Sequence, residues 1–247
     1  MEDQGYCYYP CDLDHVKALS FLADNIIIKK RSYGIQLFGI KEKLSDLKKH
    51  LLNDTIWPDF TKISSPLGPV IGLNTISAER ASNVNGYTAY AYRVNYTVPV
   101  VAYIITDRKG KALLYTGDTG PTGAIWKTPH TIGALIVEAS FPNSMEDLAI
   151  KTGHLTPKLL KVELAKMKLL PKQIFVTHPK PQCIKQVSKE IKEISRKEKI
   201  DIRILKSGDV YEVWYAFLIN ICECIKRVTG TENEKKQKRN RLLYGVV

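Results

Sequence analysis

Cysteine, histidine and long apolar runs are all in short supply. Five cysteines, at positions 7, 11, 183, 222 and 224, make an odd number, and none of their spacings builds a paired CxxC zinc ribbon. A disulfide scaffold or structural zinc cluster is therefore not expected; reduced thiols in a reducing compartment are. The most apolar late stretch, 213–222, is about half the length a membrane-crossing helix requires and contains Asn220. No transmembrane segment is read. Met1-Glu2-Asp3 opens neither a basic nor an apolar segment, so no signal peptide is read there and a cytoplasmic protein is expected. Internal repeats and glycine- or serine-rich linkers are also missing. One domain over 1–215 is expected, followed by an extension over 216–247.

The composition that remains is that of a folded chain. With 247 residues, 44% of them apolar, it is long enough to bury roughly 70% of its extended surface without cross-links. Lys and Arg number 37 against 25 Asp and Glu, and the formal charge of +12 favours an anionic ligand, substrate or surface. Part of that excess sits in 226–247, where seven basic side chains face Glu232 and Glu234. A solvated, disordered tail is expected, with a nucleic-acid or anionic-membrane contact as the sharper alternative.

From residue 34 onward, short β-branched or aromatic runs alternate with longer helical patterns, which predicts an α/β architecture. The spacing predicts strands over 35–40, 87–94, 99–105, 112–115, 133–138, 173–177 and 202–205, most closed by Gly, Asp, Asn or Pro. Apolar residues three to four apart predict helices over 41–52, 145–152, 157–168 and 183–197. Thr156 before Pro157 has the form of an N-cap followed by a proline at the first helical position.

Metal-assisted phosphodiester hydrolysis needs histidine and carboxylate ligands at strand ends where loops converge. The histidines are His15, His50, His130, His154 and His178. Asp14-His15 follows Pro10-Cys11-Asp12-Leu13. His178 ends the apolar run Ile174-Phe175-Val176. Gly117-Asp118-Thr119-Gly120 follows the strand over 112–115, where small residues let an aspartate project from the strand end. In order, the chain carries DLDHVKAL at 12–19, HLLNDTIWPDF at 50–60, VNYTVP at 94–99, TGDTGPTGAIW at 116–126, EASFPN at 138–143, GHLTP at 153–157 and THPKP at 177–181.

This series resembles the class II 3′,5′-cyclic-nucleotide phosphodiesterases of the metallo-β-lactamase fold, from about Asp12 to about Val213. The resemblance implies an αββα sandwich in which two metals activate a water to attack a cyclic phosphate. It also implies that Asp14, His15, Asp118 and His178 hold one metal. The family motif H-x-H-L-D-H places its two leading histidines at Pro10 and Asp12, and a further family histidine falls on Tyr96. The three replaced imidazoles belong to the other metal, so one ion, Zn²⁺ or Mn²⁺, is expected rather than two. The alternative for the four retained side chains is a hydrogen-bonded polar cluster without metal.

The resemblance places His154 near the substrate phosphate, where backbone N–H groups at the start of the helix over 157–168 are expected to join it. Packing roles are expected for His50 and Trp57, a surface position for His130, and no ligand contact for Asn53. The family motif follows several strands of the first sheet, whereas nine residues precede Pro10 here, so a fold lacking its first strands is expected. Two functions follow. One is metal-dependent hydrolysis of a cyclic nucleotide or other phosphate ester, impaired by the missing imidazoles, with His154 and Asp118 in catalytic roles. The other is a non-catalytic relative that binds an anion or a partner.

Overall fold

The computed structural model describes residues 4–7, 13–28, 34–65, 68–206, 210–213, 217–221 and 243–245. They divide into one unit from Ser77 to Leu205 and another from the flanking segments Met1–Ile76 and Lys206–Val247. The flanking unit opens with strand β1 (Gln4–Cys7) and helix α1 (Leu13–Ile28), neither of which the sequence pattern predicted. Val16, Leu19, Ala23 and Ile26 lie three to four apart and bury one face of α1. The β-branched run at 26–28 obscures that period at the helix end. Strand β2 (Ile35–Gly39) and helix α2 (Lys41–His50) follow as predicted.

A two-residue hairpin, β3 (Ser64–Ser65) with β4 (Gly68–Pro69), leads into β5 (Ile71–Thr75). Strand β2 lies between β1 and β5, parallel to both. The core of this unit gathers Leu19, Ile35, Leu37, Leu47, Phe60 and Ile71. Strand β5 escaped prediction because Gly72 and Asn74 interrupt it. Gly72 stands opposite Gln36, and a Cβ there would fall 2.4 Å from the Gln36 amide oxygen. Asn74 donates to that same oxygen at 2.9 Å.

The central unit is built on a seven-stranded sheet. Its strands are β6 (Ser82–Val84), β7 (Tyr87–Arg93), β8 (Val101–Thr106), β9 (Ala112–Tyr115), β10 (Ile132–Glu138), β11 (Gln173–Thr177) and β12 (Ile202–Ile204). They lie in sequence order from β6 to β12 across the sheet. Strands β6 to β9 are antiparallel neighbours, whereas β9 to β12 are parallel. The crossover from β10 to β11 carries helices α3 (Glu146–Thr152) and α4 (Pro157–Leu164), and that from β11 to β12 carries α5 (Ile184–Glu198). Strand β9 is buried along its whole length and reads as a continuous apolar run, whereas β7 alternates buried with half-buried residues. Trp126, Leu135, Val137, Leu160, Val176 and Val187 belong to the core against the helices.

The predicted helix starting at 157 ends at Leu164, four residues early, and the predicted cap is present: the Thr156 hydroxyl accepts from Leu159 N at 3.2 Å. The C-terminal segment supplies β13 (Val210–Val213), β14 (Phe217–Ile221) and β15 (Leu243–Gly245), with β14 antiparallel to β13 and parallel to β15. The basic residues expected to form a tail, 226–241, lie outside the described residues. Among the described residues no helix is long and apolar enough to cross a membrane.

Candidate metal centre

Parallel strands present their C-terminal ends on one edge of a sheet, and ligands gather there because the following loops converge. Asp118 lies three residues beyond β9, Glu138 is the last residue of β10, and His178 directly follows β11. His154 stands in the loop between α3 and α4. Gly117, at φ 61°, takes the left-handed conformation that turns the chain out of β9. Thr116 N bonds Ile136 O at 3.0 Å and Gly120 N bonds Asn95 O at 2.7 Å, so the turn is pinned on both sides of Asp118.

Further along the same loop, Trp126 donates through its indole nitrogen to Glu163 Oε2 at 2.6 Å, and Thr122 N donates to that oxygen at 3.0 Å. The TGDTGPTGAIW stretch is thereby clamped to α4 by a buried carboxylate.

Asp118, Glu138 and His154 are all buried, with ligand-type atoms within 4.8 Å of one another, a grouping that could hold a metal. Their hydrogen bonds separate their roles. Glu138 is fully buried and accepts from Thr119 N (2.9 Å), Leu155 N (3.3 Å) and the Ser140 hydroxyl (2.7 Å). It also meets His154 Nδ1 at 2.7 Å. A carboxylate so surrounded acts only as an acceptor, so His154 Nδ1 carries the proton and Nε2 is the working nitrogen. Both Glu138 oxygens are already engaged. The pair has the form of an orienting carboxylate behind an acid–base imidazole.

The oxygen Asp118 Oδ2 lies 3.5 Å from His178 Nε2. Two ligands bound to one tetrahedral ion at ordinary zinc distances stand about 3.4 Å apart, so this carboxylate and imidazole fit a shared divalent cation. The tautomer fits as well. Lys180 Nζ sits 3.0 Å from the same Nε2, and an ammonium can only donate, so that nitrogen presents its lone pair. The backbone at His178 has φ 61°, a costly conformation for a residue with a Cβ, and such outliers collect at functional sites. Ser140 joins the halves: its hydroxyl lies 3.0 Å from His178 O, and its carbonyl accepts from Lys180 N at 3.0 Å.

Of the predicted site residues, Asp118, His154 and His178 come together. The rings of His154 and His178 are 5.8 Å apart. Asp14 and His15 lie on α1, but their side chains, like all of Pro10 and Asp12, fall outside the described residues. Tyr96 packs edge-on against His154 at 5.4 Å. Gly153, at φ 75°, admits it, since a Cβ there would meet the Tyr96 ring at 3.0 Å.

Several expectations are corrected. The start of α4 offers no backbone donor for a phosphate: residue 157 is proline, Lys158 N is taken by Asn143 Oδ1 at 2.7 Å, and Leu159 N by Thr156. His50 is exposed at the end of α2 rather than packed. His130 is half-buried and packs against Tyr90, ring centres 4.5 Å apart and planes tilted by 46°. Trp57 does pack, edge-on to Phe21 at 5.4 Å, and Asn53 is a turn residue whose side chain accepts from Thr55 N and Ile56 N. Cys183 is a free thiol. Sequence reasoning missed Glu138, Ser140 and Lys180. The available signal was one carboxylate closing the otherwise apolar run 132–137.

Comparison with known proteins matches this geometry to a family. Ribonuclease BN of Proteus mirabilis is 34% identical over 183 residues, covering 71% of this chain and 53% of that protein. The 3′,5′-cyclic-nucleotide phosphodiesterase 1 of Saccharomyces cerevisiae is 26% identical over 183 residues, covering 64% and 49%. The chain thus spans about half the length of these curated relatives. Among solved structures, unliganded yeast PDE1 superposes with a TM-score of 0.67 at 21% identity, over 82% of this chain and 66% of that one. The metallo-beta-lactamase fold protein YhfI from Bacillus subtilis gives 0.64 at 16% identity, over 85% and 78%. These likenesses show a metallo-β-lactamase fold. Because the family model for class-II cAMP phosphodiesterases matches residues 4–204, the chain belongs to that family.

Proposed function

We propose that the chain hydrolyses a phosphodiester with the help of one divalent cation, and that its substrate is a 3′,5′-cyclic nucleotide. The observation that carries this reading is the buried Glu138–His154 pair, 2.7 Å apart, beside an Asp118–His178 pair at the spacing of two ligands on one ion. Asp118 and His178 would hold the cation, Zn²⁺ or Mn²⁺. When bound, that cation supplies a Lewis acid that polarises a phosphoryl oxygen and acidifies water. His154, aimed by Glu138, takes a proton onto Nε2 from the attacking water and passes it to the departing ribose oxygen. The Glu138 carboxylate, 2.7 Å from Nδ1, stabilises the imidazolium before the proton leaves. The resemblance puts Tyr96 where the family carries an imidazole, and a neutral phenol is a poor ligand for a second cation.

The experiment is metal analysis of purified protein with cyclic-AMP turnover. Close to one equivalent of zinc or manganese is expected, together with hydrolysis abolished in Asp118→Ala. Protein that retains no metal and turns nothing over would be the non-catalytic relative, and this proposal would fall. A second reading, in which the phosphodiester belongs to RNA, draws on the 34% identity to ribonuclease BN and on the charge of +12. An RNA oligonucleotide offered in the same assay separates the two: cleavage of RNA with cyclic AMP left intact selects it.

A further inference from the structure

The lysines of α4 and of the turn after it are committed to carboxylates. Lys158 pairs with Glu146, Lys161 with Glu198 and Lys166 with Glu163. Lys180 differs: its ammonium donates to an imidazole, His178 Nε2, at 3.0 Å. We propose that Lys180 is a phosphate-binding cation of this centre, donating to a non-bridging oxygen of a phosphate ester. The proposal rests on the reading of the centre as one that handles phosphodiesters.

The physical argument begins with the lone pair. An imidazole nitrogen has one, so His178 Nε2 cannot serve both the ammonium and a metal ion. Once a divalent cation takes that nitrogen, the ammonium must withdraw, yet its backbone holds it near. Lys180 N is bonded to Ser140 O at 3.0 Å, and Pro179 and Pro181 flank it, narrowing the conformations open to the chain. Two positive charges are then brought within a few ångströms of each other, and the Asp118 carboxylate, 3.5 Å from His178 Nε2, offsets only one of them, which leaves a net positive site that attracts an anion. A phosphate meets that demand by offering one oxygen to each. Lysine suits the task as a compact charge on a flexible stem with three donors, able to leave the imidazole and reach an oxygen.

The test uses the full chain loaded with zinc or manganese and inorganic phosphate as the probe, with binding followed by calorimetry and metal content measured on the same samples. Lys180→Met is expected to weaken phosphate binding about tenfold to a hundredfold, the worth of one charge-assisted hydrogen bond, with metal content unchanged. Lys180→Arg, which keeps the charge, should stay within about threefold of the parent. The inference is overturned if Lys180→Met binds phosphate as the parent does, if it loses its metal, or if the parent binds no phosphate. Because binding is read without turnover, a protein that holds phosphate through Lys180 but hydrolyses nothing would sink the hydrolytic reading and leave this one standing.

Discussion

Asp59 and Glu138 are both buried carboxylates wrapped in hydrogen bonds, yet they are built in opposite ways. Asp59 takes its donors from its own neighbourhood: Thr61 N and hydroxyl, and Lys62 Nζ at 3.1 Å. Burial, the largest single influence on its carboxyl, pushes the pKa up, but the bonds from Thr61 and Lys62 together outweigh it and hold it below the usual range. Asp54, whose carboxyl accepts from Asp59 N and Lys62, is lowered as well. Glu138 collects donors from residues 119, 140, 154 and 155, brought together only by the ends of strands. A cluster satisfied by chain neighbours closes a turn. One that needs distant elements, and sits beside a strained histidine, is the arrangement on which the proposed chemistry draws.

That contrast can be broken at either end. The largest effect is expected from Glu138→Gln, which puts a donor opposite His154 Nδ1 and upsets its tautomer: turnover should fall about a hundredfold to ten-thousandfold with metal content kept. A fall explained wholly by lost folded protein, read by circular dichroism, would make Glu138 a mere packing residue.

At the other end, Asp59→Ala should cost about 1–3 kcal/mol of stability by denaturant titration and leave turnover per folded molecule unaltered. The smallest effect is its pH dependence. Because the Asp59 and Asp54 carboxyls are lowered from 3.8 on folding, their contribution is present above that pH and lost as pH falls through the folded values. The stability gap between parent and Asp59→Ala should therefore close in acid below pH 3.8. A gap that persists there would assign the loss to packing instead.

Much of this was legible in the sequence because local signals agreed with the fold. Strand 173–177 was read correctly to the residue, since an apolar run closed by Thr177 and His178 has no helical alternative of that length. Strand 112–115 was likewise right, and with it the position of Asp118. What failed was non-local. Strand β5 holds Gly72 because a Gln36 side chain lies across it, a fact belonging to the neighbouring strand. Glu138 could be seen as a carboxylate at a strand end, but its service to His154 depends on a loop sixteen positions later folding back. Lys180 drew no reading, because nothing in THPKP says which way its ammonium turns.

The mirror-image backbone at His178 has a further consequence. Holding a residue with a Cβ at φ 61° costs about 1–2 kcal/mol that glycine would not incur. Glycine would relieve that strain but would forfeit the imidazole's contacts to Asp118, Lys180 and His154. The strain is thus tied to the side chain: the turn that costs free energy is the one that aims the ring.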